Sequence, residues 1–191
     1  MAEKYNNYHS VLIVSASEKF DQIIKRAVNG YATTDIKKSG SLARRSILER
    51  YYDIIVINAP LSDENGEDIA LEAVEKLSAS VLLVTPNDVM DEVISRVSDA
   101  GVLVVGKPSP VGRIDKAVRF IMAIQNKIHE RDKKLVAMEE KLEEMRIVSR
   151  VKCMLIEKKG ISEEEAHRYI GKLAMDNGIS RAAAARKILD D

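Results

Sequence analysis

Short, nearly unbroken apolar runs alternate with amphipathic stretches through the first part of the chain. "VLIVSAS" (11–17), "YYDIIVINA" (51–59), "SVLLVTP" (80–86) and "GVLVVGKP" (101–108) are rich in valine and isoleucine and show no polar alternation. Such runs suit parallel strands covered on both faces. A weaker run, "ATTDIKKS" (32–39), supplies a fifth strand of mixed polarity. Helical spacing fills residues 18–29, 41–50, 66–78 and about 88–99 between them. The alternation predicts an α/β, doubly wound, five-stranded parallel sheet with its crevice at the carboxyl ends of the strands.

The pattern changes after Pro110, the last proline of the chain. Ile114, Ile121, Ile128, Leu135 and Leu142 recur at every seventh position, and Ala117, Ile124, Met138 and Met145 fill a second seam that Arg131 interrupts. This is the spacing of a coiled-coil seam. A solvated single helix cannot cover it, so the spacing calls for a partner: a second copy of the chain is the simplest, and folding back onto the same chain is the alternative. Gly160, preceded by Lys158 and Lys159, reads as the end of this long helix. Ser162 with Glu165 three residues on forms a capping-box signature. The helix it opens stops near Asn177-Gly178, and Ser180 starts a last one, "RAAAARKIL". The carboxyl-terminal part is therefore expected to be all-α: a small three-helix domain behind a long coiled-coil helix.

Composition narrows the functional classes. The chain has 191 residues, 46% of them hydrophobic, 31% charged and 4% aromatic. Its formal net charge is zero, so local patches and not bulk charge must recruit any polyanion. Cys153 is the only cysteine, which excludes an internal disulfide and a cysteine-based metal cage. His9, His129 and His167 are remote from one another in sequence and predict no metal cluster; no cofactor is expected either. No apolar run has the length of a membrane span, and "MAEKYNNYHS" lacks the apolar core of an export signal, so a cytoplasmic protein is expected.

The first part, roughly residues 9–124, resembles the receiver domains of response regulators, which share the flavodoxin-like sheet. "DIIVINAPLSDENG" (53–66) follows the receiver's third strand and loop, which puts Asn58 at the phosphoacceptor aspartate. Thr85 closes the fourth strand where receivers carry a phosphate-sensing hydroxyl, and Lys107-Pro108 closes the fifth where they carry a lysine and a proline. Two departures matter. The first strand ends in "SASE", leaving Glu18 as the nearby acid where receivers have an acidic pair for Mg²⁺, and an amide replaces the acceptor carboxylate. Phosphoryl transfer needs both a nucleophilic oxygen and a cation. The resemblance therefore implies a degenerate receiver site, with Asp63 in the next loop as the alternative acceptor. A ligand, a regulatory protein or dimerisation remains open as its role.

"GISEEEAHRYIGKLAMDNGISRAAAARKIL" (160–189), with "RIVSRVKCMLIEKK" (146–159) before it, is similar to ANTAR domains. Lys152 and Leu155, then Gly160, Ser162, Glu165, Ala166, Ala174, Met175 and Asp176, then Ala185 and Ile188 carry the likeness; Val151 departs from the family's small alanine. The resemblance implies an RNA-binding module of bacterial transcription antitermination. Ten basic residues fall between Arg146 and Lys187, enough for phosphate contacts in a neutral chain. Of these, Arg146, Arg150, Lys152, Arg168, Lys172, Arg181 and Arg186 are the candidate RNA contacts. Tyr169 is a candidate base-stacking ring, with core packing as its alternative, while Ala174 and Met175 are expected in the core. The expected organisation is a receiver-like domain over 1–112 with its helix continuing to about 124, a coiled-coil linker over 113–145 and an ANTAR-like domain over 146–191. The expected function is a dimeric RNA-binding antitermination regulator that grips stem-loops of leader transcripts and has no enzymatic activity. The rivals are a phosphorylation-controlled regulator, a DNA-binding one and a plain coiled-coil adaptor.

Overall fold

In the computed structural model, residues 9–77 and 79–190 are described. The amino-terminal residues 1–8, read above as lacking an export signal, lie outside them, as do Ser78 and Asp191. The chain divides into two compact units, Met1–His129 and Glu130–Asp191.

The first unit is built on strands β1 (His9–Val14), β2 (Ala32–Lys37), β3 (Ile54–Asn58), β4 (Ser80–Pro86) and β5 (Leu103–Lys107). All pair in parallel, in the order β2-β1-β3-β4-β5. Helices α1 (Glu18–Val28), α2 (Gly40–Glu49), α3 (Glu67–Leu77) and α4 (Met90–Val97) connect them, and α5 (Val111–Lys159) leaves the last strand. Successive strand residues point to opposite faces, which explains why the runs are apolar throughout. Leu12, Val14, Ile55, Ile57, Val81 and Leu83 pack with Ala43 of α2, Ile69 and Ala73 of α3, and Val93 and Val97 of α4. Val11, Ile13, Ile54, Val56, Leu82 and Val84 face the other way, onto Phe20 and Ile24 of α1 and the first turns of α5. The mixed polarity of β2 is that of an edge strand, where no residue is fully buried.

That second face corrects the predicted coiled-coil seam. Ile114 and Ile121 are 6% and 2% exposed and pack with Val118 and Met122 against the sheet of their own chain; Ala117 lies against the same cluster. The apolar stripe begins as the buried face of a receiver helix, so the partner demanded by its first two heptads is the sheet itself. Ile128 is half-buried, whereas Ile124, Leu135, Met138, Leu142 and Met145 are exposed.

The second unit contains the later turns of α5, then α6 (Glu163–Asn177) and α7 (Arg181–Asp190). Gly160, at φ +64°, follows the end of α5, a conformation that costs glycine little. The capping box forms as predicted: Ser162 Oγ accepts from Glu165 N, and Glu165 Oε2 accepts from Ser162 N. Gly178 ends α6 at φ +61°, its N–H reaching back to the Ala174 and Met175 carbonyls. Ser180 Oγ accepts from Ala183 N and starts α7. Val151 and Leu155 of α5, Ala166, Ile170 and Ala174 of α6, and Ala184 and Ala185 of α7 make the core. The alanines let three short helical faces approach closely enough to bury it.

Candidate functional site

The sheet reverses its order between β1 and β3, so the crevice of the first unit opens past their carboxyl ends. Val14 pairs with Ile57, and the residues that follow, Ser15 and Asn58, meet there. Asn58 Nδ2 donates to Ser15 Oγ at 3.1 Å, and Lys107 Nζ donates to Asn58 Oδ1 at 2.7 Å. Both polar ends of the amide are thus engaged. Ser15 is fully buried and its oxygen also accepts from Ser17 N (3.0 Å), tying the β1–α1 turn to the site. Burial draws the Lys107 ammonium below the ordinary lysine pKa; among the described residues its polar partner is the Asn58 amide. Thr85 is buried at the end of β4 and borders a groove shared by Pro60, Asn65, Glu92 and Arg96.

The candidate acids do not join this cluster. Glu18 is exposed in the first turn of α1, where Ser17 provides the cap. Asp63 caps another helix: its two oxygens accept from Gly40 N (2.8 Å) and Ser41 N (2.9 Å) at the start of α2. These backbone donors hold its carboxyl below the usual carboxylate range. Chemically, the receiver crevice presents a neutral amide clamped between an ammonium and a hydroxyl.

In the second unit, Arg168, Lys172 and Arg181 line one groove together with His167, Gly171 and Met175. The i, i+4 pair Arg168 and Lys172 shares a face of α6, and the turn after Gly178 delivers Arg181 beside it. A second groove along α5 shares His167 and Arg181 and adds Lys141, Val148 and Lys152. Lys152 Nζ donates to Glu163 Oε1 at 2.7 Å, and that bond lowers the Glu163 pKa. Arg146, Arg150 and Arg186 are exposed but line neither groove; Arg146 lies 3.8 Å from Glu143. Tyr169 is 45% exposed, and Lys159 Nζ sits 4.4 Å from its ring centre, so it is a surface ring and not a core residue. Ala174 is buried as expected, but Met175 is 82% exposed, which corrects its assignment to the core. It lines the same groove as Arg168, Lys172 and Arg181.

Two of the three histidines, remote in sequence, nevertheless meet in the fold. His9 and His129 stack with ring centres 5.6 Å apart, and His129 Nε2 lies 3.1 Å from Asp53 Oδ1. No local pattern in the chain signals this, because β1, the approach to β3 and α5 bring the residues together only in three dimensions.

Residues 137–189 match the family model described as ANTAR domain. A receiver-like fold lies ahead of that domain, an arrangement similar to that of ANTAR response regulators. It is 24% identical over 139 residues to the transcriptional regulatory protein PdtaR of Mycobacterium tuberculosis, spanning 72% of this chain and 67% of that protein. The fold is similar to that of the signal receiver domain of an HD domain-containing protein from Pseudomonas fluorescens Pf-5 (TM-score 0.58, 17% identity, 68% of this chain and 98% of that one). It is also similar to the signal receiver domain of a putative Luxo repressor protein from Vibrio parahaemolyticus (TM-score 0.56, 20% identity, 64% and 95%). No helix among the described residues is long and apolar enough to cross a membrane.

Proposed function

We propose that this chain is a cytoplasmic RNA-binding regulator of transcription antitermination whose receiver no longer accepts phosphate. The observation that carries the reading is the groove in which Arg168, Lys172 and Arg181 converge within the ANTAR domain. Three cations beside an exposed Met175 suit the phosphates and an unpaired base of an RNA stem-loop. Lys152, Arg146, Arg150 and Arg186 extend the positive surface, and Tyr169 offers a stacking face. Binding energy spent on a leader-transcript stem-loop disfavours the competing terminator hairpin, so the polymerase reads on. The exposed stripe Ile124, Leu135, Met138 and Leu142, with Ile128 beside it, supports a homodimer that carries two such heads.

The receiver half of the reading rests on Asn58. An amide is a poor nucleophile, its oxygen is held by Lys107, and the neighbouring turn offers Ser15, Ala16 and Ser17 where a divalent cation needs carboxylates. Control then passes to expression, to a partner protein or to a ligand in the groove beside Thr85. The test is a gel-shift comparison of stem-loop RNA with duplex DNA at one stated salt concentration. RNA should bind more tightly, and Lys172→Ala with Arg181→Ala should weaken it at least about tenfold with helicity unchanged. Tighter binding to duplex DNA, or an unaltered affinity in the double variant, refutes the proposal.

A further inference from the structure

The histidine cluster lies at the opposite end of the sheet from Asn58, at the amino-terminal ends of β1 and β3, and no step of RNA binding uses it. From the geometry we infer that His9, Asp53 and His129 form a site for a divalent transition-metal ion of the Zn²⁺ type. One donor atom from each residue lies within 4.8 Å of the other two. The closest pair, His129 Nε2 and Asp53 Oδ1, is 3.1 Å apart. Two donors on one tetrahedral zinc ion stand about 3.3 Å apart for bonds near 2.0–2.1 Å, so an ion enters with small side-chain shifts.

The groups behind these donors are those that orient metal ligands. His9 Nε2 lies 2.9 Å from Asn126 Oδ1, while Nδ1 is buried and has no partner among the described residues. A histidine only 1% exposed with an uncommitted nitrogen is costly unless something satisfies it. Asp53 is held from behind in the same manner: its Oδ2 accepts from Ser10 N (2.6 Å) and Ser10 Oγ (2.9 Å), leaving Oδ1 on the side of His129. Hydrogen bonds to the far atoms of His9 and Asp53 fix the orientation of the near ones. The His129 side chain is 30% exposed, which provides an entry path and room for water as a fourth ligand.

Two imidazoles and one carboxylate select a borderline ion over Mg²⁺ or Ca²⁺, which prefer all-oxygen sets. Asn126 and His129 lie one turn apart on α5, so a bound ion fastens that turn to the feet of β1 and β3. The site would tie the helix to the sheet at the point where it leaves the first unit.

Zinc titration of the full-length apo-protein against a chromophoric chelator tests this, with circular dichroism checking the fold of every variant. The wild-type chain and a Cys153→Ser variant should each take up one Zn²⁺ tightly. His129→Ala and His129→Gln, at the most exposed ligand, should lose that equivalent, and Asn126→Ala should bind about tenfold more weakly. Absence of uptake by the folded wild-type chain overturns the assignment. So does an unchanged equivalent in both His129 variants, or loss of the equivalent in Cys153→Ser.

Discussion

Asn58 shows how one atom type changes what a site can do. In place of a carboxylate whose oxygen can donate an electron pair to phosphorus, its amide accepts from Lys107 and donates to Ser15, and so closes a small hydrogen-bonded network. Restoring the acid alone does not restore the chemistry. In Asn58→Asp, the new carboxylate meets the Lys107 ammonium while the β1–α1 turn still supplies Ser15, Ala16 and Ser17 in place of an acid pair for Mg²⁺, with Glu18 exposed on α1. Incubation of that variant with Mg²⁺ and acetyl phosphate should give no phosphate-sized gain in intact mass. A labile gain would mean that another group supplies the cation site. Asp63 does not fill that role while its oxygens cap α2.

Helix α5 serves two environments along one continuous heptad pattern. Its early positions are core residues of the first unit; its later ones, Leu135, Met138, Leu142 and Met145, stand exposed. Charged substitutions therefore part company along the helix. Ile121→Asp should cost the first unit at least about 3 kcal/mol, because it leaves a carboxylate in an apolar core, and urea melts of that unit will register it. Leu142→Glu should leave both units folded but shift sedimentation from dimer to monomer. An Ile121→Asp chain of unchanged stability would contradict the packing; a dimeric Leu142→Glu chain would contradict the proposed seam.

The whole molecule is formally neutral, yet the carboxyl-terminal groove lined by Arg168, Lys172 and Arg181 has no acid among its lining residues, whereas the second groove sets Glu144 beside Lys141 and Lys152. RNA binding should accordingly weaken steeply with salt, since contacts to phosphate release counterions whatever the net charge. Lys172→Ala should lower the slope of log affinity against log salt by about 1, a change that a mere loss of helix stability does not produce. Filter binding across a salt series measures it, and an unaltered slope would remove Lys172 from the phosphate contacts.

The sheet and its helices were legible in the chain because strand faces and helix faces leave separate periodicities, and because Ser162, Glu165, Gly160 and Gly178 act within their own turns. The absent acids were equally plain, since a missing carboxylate is visible without coordinates. Heptad spacing, by contrast, reports that a face must be covered but not by what: only the fold assigned Ile114 and Ile121 to the sheet. Met175 and Tyr169 came to the surface, and His9, Asp53 and His129 came together, for the same reason. Local sequence sets which side of an element is apolar; distances between residues a hundred positions apart exist only once the chain has closed on itself.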